Sequence, residues 1–117
     1  MRKEDFCVTQ SYTIMEVMQV FERNMERGVV VIGESGKVCG FLSMGDIIYA
    51  LVGGKNMYSH IGQICNPSFI YLKEKNYSQA LKLFRERNIS LIPVLNDELQ
   101  LTDVITAKEM FGMVELK

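Results

Sequence analysis

The chain says nearly the same thing twice. Phe21 is followed 63 residues later by Phe84, Ser43 by Thr106, Asp46 by Glu109 and Ile48 by Phe111. The helix starts echo at the same offset, Thr13-Ile14-Met15-Glu16 answering to Asn76-Tyr77-Ser78-Gln79. Two copies of so short a unit imply a pseudo-twofold pair, because neither copy alone buries its apolar face. Such a pair is expected to have a cleft between its copies, the first place to look for a ligand.

Each copy reads as strand, helix, strand, turn, strand, helix. In copy one, Phe6-Cys7-Val8 is a short extended segment. A helix then starts at Thr13, with Glu16 placed to complete a capping box. Its apolar stripe is Ile14, Val17, Met18, Phe21 and Met25, and Arg27-Gly28 is expected to end it. Val29 to Ile32 is a β-branched run suited to a strand covered on both faces. Gly33-Glu34-Ser35-Gly36 supplies a turn into Lys37 to Leu42. Ser43 opens a second helix carrying Ile47, Ile48, Leu51 and Val52, closed by Gly53-Gly54.

Copy two repeats the order. Phe69-Ile70-Tyr71 is extended, and Asn76 to Arg87 is a helix with Tyr77, Ala80, Leu81 and Phe84 inward. Ile89 to Leu95 and Leu99 to Ile105 are strands around Asn96-Asp97-Glu98. The last helix starts at Thr106, with Met110, Phe111 and Val114 apolar. Pro93 inside a strand suits an edge or a ligand-facing position. The predicted organisation is unit 1 over 1–54, a linker over 55–67 and unit 2 over 68–117.

A chain of 117 residues buries roughly two thirds of its unfolded surface. A net charge of −1 leaves no electrostatic footprint for nucleic acid or an anionic membrane. No apolar run is long enough to span a bilayer, and Met1 to Asp5 lacks the apolar core of a signal peptide. Cys7, Cys39 and Cys65 are odd in number and form no C-x-x-C, and His60 has no metal-ligand companion in sequence. The expectation is a cytoplasmic protein with reduced, packing cysteines, no metal, no membrane and no nucleic acid.

Gly33-Glu34-Ser35-Gly36-Lys37 is not a phosphate-binding loop. That motif needs four residues between its glycines and Ser or Thr after the Lys, and it precedes a helix. The eight methionines read as core and interface filler. Glu74, Lys75, Arg85, Glu86 and Arg87 read as a solvated helix flank, and His60 as a surface residue.

Copy one carries Gly40-Phe41-Leu42-Ser43-Met44-Gly45-Asp46. Copy two carries Ile92-Pro93-Val94 and Asp103-Val104-Ile105-Thr106-Ala107-Lys108-Glu109. These stretches, in phase and covering nearly the whole chain from Phe6 to Phe111, resemble a tandem pair of cystathionine-beta-synthase (CBS) domains, the Bateman module. The resemblance implies an α/β (α+β) fold of two β-α-β-β-α units about a pseudo-twofold axis, with small mixed sheets packed on helices. It implies a regulatory, non-catalytic module that binds AMP, ADP, ATP or S-adenosylmethionine in the cleft between units, with no tightly bound cofactor, and that associates as a homodimer.

The resemblance points to particular residues. Asp46 is placed to accept from both ribose hydroxyls. Ser43 and the helix-start amides are placed to meet a phosphate. The same Ser-x-x-Asp is also a capping box that needs no ligand. Cys7, Val8, Val30 and Leu42 are offered as apolar walls for adenine. The positions before the middle strand are Arg27 and Gly28 in copy one, and Ser90 and Leu91 in copy two. Arg27 is either a guanidinium clamp or a solvated arginine at a helix end. Pro93, Thr106, Lys108 and Glu109 complete the second set.

That second set departs from the pattern. Asp103 stands where the small Gly is expected, and Glu109 is a methylene longer than Asp, enough to shift its carboxylate by roughly 1 Å. Two acids also disfavour a nearby phosphate. Thr106 and Glu109 therefore read equally as a helix cap. Two functions follow: a sensor of an adenosine-containing ligand, or a dimerisation and docking module with vestigial pockets, on its own or within a larger enzyme or transporter. No catalytic constellation is present in the sequence, so an independent enzyme is not expected.

Overall fold

Residues 2–115 are described by the computed structural model, the side chains of 113–115 excepted. Val114, read as an apolar residue of the last helix, thus lies outside the described side chains. The fold is mixed α+β, and the chain divides into two compact units at the Phe69–Ile70 boundary.

In unit 1 a 3-10 turn over Lys3–Phe6 leads into β1 (Cys7–Thr9), so Phe6 belongs to the turn and not to the strand. Helix α1 (Ile14–Asn24) has the expected reciprocal cap. The Thr13 amide donates to Glu16 Oε1 at 3.0 Å and the Glu16 amide to Thr13 Oγ1 at 3.3 Å. The helix ends at Asn24, three residues before Arg27, and is followed by Met25, whose φ of 59° is left-handed. That turn swings Met25 out, leaving it 68% exposed instead of completing the buried stripe. Val20 takes the inward place.

Strands β2 (Gly28–Ile32) and β3 (Val38–Ser43) are antiparallel, and β1 runs parallel to β2, in the order β1-β2-β3. Strand alternation turns Val29 and Val31 of β2 toward α1. There they join Val8, Ile14, Val17, Phe21, Leu42 and Ile47 in one core. Helix α2 (Met44–Val52) follows Ser43. Of the apolar residues of α2 only Ile47 and Ala50 are buried; Ile48 and Val52 are 56% and 84% exposed, and Leu51 is also exposed.

The segment expected as a linker is built into unit 1. Ile61 is fully buried in its core. Asn66 pairs with Phe41 through amide–carbonyl bonds of 2.8 and 2.9 Å, extending the sheet beyond β3. His60 is on the surface, its Nδ1 2.8 Å from the Ser11 carbonyl oxygen.

Unit 2 is a reduced version. Helix α3 (Tyr77–Glu86) is capped by the Asn76 side chain, and Ala80 is its one buried residue. Leu81, expected inward, is exposed, while Leu83 packs on the core beside Tyr77 and Phe84. Strands β4 (Leu91–Leu95) and β5 (Leu101–Thr106) form an antiparallel pair. No strand forms over Phe69-Ile70-Tyr71. A single parallel bridge from Leu72 to Val94 replaces it, with bonds of 3.0 Å to the Pro93 oxygen and 2.8 Å from the Leu95 amide. Helix α4 (Ala107–Glu115) buries Met110 and leaves Phe111 exposed.

Candidate functional site

The carboxyl end of β3 is where copy one gathers its candidate residues. Gly28 pairs with Ser43 across the sheet, so the chain entering β2 lies beside the chain leaving β3. The Arg27 carbonyl oxygen accepts from the Met44 amide at 2.9 Å. Ser43 has an extended backbone, and its hydroxyl caps α2 by accepting from the Asp46 amide at 3.1 Å. The Ser43 amide donates back to Asp46 Oδ2 at 2.9 Å. The capping box is therefore real, and it engages one carboxylate oxygen of Asp46.

The cap does not use up the site. By helix geometry the Gly45 amide has no partner inside α2, and Gly45 is exposed. Arg27 is exposed too, and its guanidinium has no hydrogen bond or ion pair among the described residues. The Gly45 amide and the Asp46 carboxylate thus stand at one helix start, and the Arg27 backbone is tied to it through the Met44 amide.

The four adenine-wall residues do not share a face. Val8 and Leu42 lie in the core against α1, and Val30 is buried on the other side of β2. Cys7 lines a cavity of about 300 Å³ with Glu4, Asp5, Tyr12, Val20, Arg23 and Asn24, none of them a candidate ligand residue. Its thiol donates to the Lys3 carbonyl oxygen at 3.4 Å. Burial, helped by Glu4, pushes that thiol up to about 11. Val30, with Cys7 as its register partner across the sheet, lies on the face turned away from the core against α1.

Gly28 and Gly40 have packing reasons of their own. A Cβ on Gly28 would come within 2.5 Å of the Phe41 ring. A Cβ on Gly40 would meet Cys65 Sγ at 3.0 Å and the Asn66 carbonyl oxygen at 3.2 Å. The crossing segment at 65–66 thus requires a small residue at 40, ligand or none. Cys65 also sits within the electrostatic reach of Asp46; its thiol is raised mainly by burial, then by Cys39, with a contribution from Asp46.

Copy two keeps the backbone and changes the chemistry. The Ser90 carbonyl oxygen accepts from the Ala107 amide at 2.9 Å, and the Thr106 hydroxyl from the Glu109 amide at 3.1 Å. The Glu109 carboxylate does not return to Thr106. Its Oε2 accepts from the Tyr77 hydroxyl at 2.8 Å and lies 3.6 Å from Lys75 Nζ, which also meets Asp103 at 3.1 Å. Tyr77, then the Asp103 and Glu109 carboxylates, hold the Lys75 ammonium above the ordinary lysine range. Pro93 is buried in β4 opposite Val104, while Lys108 is exposed on α4.

Lys75 and Tyr77 are the residues that sequence reasoning missed. Lys75 was expected on a solvated flank, and Tyr77 only as an inward residue of α3. The available signal was the pair of acids at 103 and 109, which calls for a cation nearby. Among the described residues no group of His, Cys, Asp and Glu could hold a metal ion, and no helix is long and apolar enough to cross a membrane.

A hydroxyl-capped helix start after a hairpin occurs twice, 63 residues apart, in two units of mixed α+β fold. The sequence matches the CBS domain over residues 1–53 and again over 61–115, and the chain belongs to that family. Solved structures share the fold. A protein from Methanocaldococcus jannaschii is 23% identical with a TM-score of 0.77, over 92% of this chain and 45% of that one. This chain therefore spans about half of that protein's length. The CBS domains of a transcriptional regulator from Streptococcus pneumoniae give 16% identity and a TM-score of 0.79, over 96% of this chain and 92% of that one. A CBS domain protein from Pyrobaculum aerophilum, complexed with AMP, gives 20% and 0.75, over 99% and 98%. No curated protein matches this chain in sequence.

Proposed function

We propose that this CBS pair is a non-catalytic sensor that takes an adenosine-containing ligand at copy one. Asp46 accepts from the ribose, Arg27 and the amide at the start of α2 meet phosphate, and Val30 offers an apolar surface to the base. The observation that carries this is the bond from the Met44 amide to the Arg27 oxygen, which ties the backbone of Arg27, whose guanidinium is unengaged among the described residues, to the start of the helix that the Ser43–Asp46 box caps. The AMP bound by the Pyrobaculum aerophilum protein supports the choice of ligand class.

A thermal-shift panel of AMP, ADP, ATP, S-adenosylmethionine and NAD tests it. A ligand at a hundred times its dissociation constant stabilises the fold by roughly 2.7 kcal/mol. Asp46→Asn is the discriminating variant. Its side-chain oxygen still accepts from the Ser43 amide, so the cap survives, while the charge that favours ribose hydroxyls is gone. The expected result is a melting temperature close to wild type with the ligand shift lost. No shift with any of the five overturns the reading.

The second reading, a homodimerisation or docking module, is favoured by α2, where Ile48, Tyr49 and Val52 are exposed together. A stable dimer in sedimentation velocity, with no response in the ligand panel, would select it.

A further inference from the structure

The four residues that meet around Lys75 answer, 63 positions earlier, to Tyr12, Ile14, Gly40 and Asp46. Copy one thus has a single acid and no cation where copy two has two acids and a lysine. In both copies the acid's amide bonds to the preceding hydroxyl at 3.1 Å. The carboxylates then part. Asp46 Oδ2 turns back to the Ser43 amide, whereas Glu109 Oε2 is taken by the Tyr77 hydroxyl and faces Lys75. The Lys75 ammonium also stands 5.4 Å from the centre of the Tyr77 ring.

We propose that Lys75 is a built-in occupant of the second copy's ribose position, closing it so that the pair takes one nucleotide per chain. This rests on the nucleotide reading of copy one and adds its stoichiometry. A ribose hydroxyl arriving at Glu109 Oε2 would have to displace the phenol bonded there at 2.8 Å and the ammonium that faces it at 3.6 Å, and a separated ion pair loses what each partner gave the other. The three exchanges belong together. Asp103 and Glu109 without Lys75 would be two neighbouring acids repelling each other. With Lys75 they share a counter-ion, and the departures from the copy-one pattern become one consistent cluster.

Calorimetry with AMP on the full chain tests this, comparing wild type with Lys75→Tyr/Asp103→Gly/Glu109→Asp, which installs the copy-one residues. The expected result is one more AMP per chain in the variant, two against one. Adding Asp46→Asn to the variant should bring it back to one. An unchanged stoichiometry, or two AMP bound by wild type, overturns the closure. Wild type at zero with the variant at one upholds the closure and overturns the copy-one site. Zero in both overturns both. If circular dichroism shows the triple variant unfolded, Lys75→Met/Asp103→Asn carries the same comparison, since it removes the ammonium and one acid while leaving Glu109 in place.

Discussion

The Arg27 carbonyl oxygen accepts from the Met44 amide at 2.9 Å, and 63 residues later Ser90 and Ala107 form the same bond at the same length. The hairpins match as closely. Lys37 accepts from the Gly33 amide and Gln100 from the Asn96 amide, while the register shifts fall at Val31/Ile32 and at Val94/Leu95. The duplication is thus preserved in the backbone beyond the point where side chains stop resembling each other. Positions where a copy keeps the backbone but has a poorer side chain for it are the places to test.

Leu99 is such a position. It answers to Gly36, and both have a left-handed backbone, with φ of 64° and 82°. A leucine there carries a steric penalty of roughly 1–2 kcal/mol that glycine does not. The turn is held instead by Asn96, whose Oδ1 accepts from the Glu98 and Gln100 amides, both at 2.9 Å. Leu99 is 41% exposed, so removing its side chain sacrifices little burial. After allowing for the freer unfolded glycine, Leu99→Gly should raise stability in urea by about 0.5–1 kcal/mol. A loss of stability would mean that the leucine packs more usefully than its exposure implies.

Gly28 and Phe41 trade volume. Copy two has Leu91 and Val104 at the same positions. Gly28→Ala drives its Cβ into the Phe41 ring and should destabilise by about 1–3 kcal/mol, as overpacking does. Phe41→Leu in the same chain should recover more than half of that, because the ring atoms that clash are gone. A double-mutant cycle with no coupling would show that the ring swings aside freely.

The duplication, both hairpins, all four helices and the cap at Ser43 were legible because each is written in local pattern: β-branched runs, turn residues and hydroxyl-x-x-acid spacing. What escaped was set by contacts distant in sequence. Nothing near Lys75 announces that it meets Asp103 and Glu109, or near Gly40 that Cys65 and Asn66 cross it. The split of the adenine wall followed from period-2 alternation. Val8 and Leu42 sit on the face that Val29 and Val31 share, and any ligand on the Val30 face is cut off from them by the sheet. The apolar residues of α2 have helical spacing, but spacing alone does not say which of them the core covers.

Ile61 tests where copy one ends. Its side chain is fully buried with Val8, Ile14 and Val17, within a segment whose composition looks like a tether. Ile61→Ala should lower stability by about 2–5 kcal/mol, the range of a large-to-small core change. Tyr58→Ala, three residues away and exposed, should stay within roughly 0.5 kcal/mol of wild type. Equal, small effects in urea unfolding would return 55–67 to the role of a linker.

Cys7 gives the pH-dependent test. Its thiol is pushed up to about 11, first by burial and then by Glu4. An unfolded cysteine titrates near 8.5. The folded state therefore favours the neutral thiol, and the stability this supplies is present below about pH 8.5 and lost as pH rises through the folded value. Reactivity follows thiolate, so at pH 8 roughly one Cys7 in a thousand is ionised, against about a quarter of unfolded thiols. Iodoacetamide labelling followed by peptide mass spectrometry should show Cys7 modified about a hundredfold more slowly in native protein than in urea at pH 8. The native rate should climb about tenfold per pH unit up to about pH 10. Native labelling at the urea rate would mean that the Cys7 thiol is not held in the buried environment beside Lys3 and Glu4.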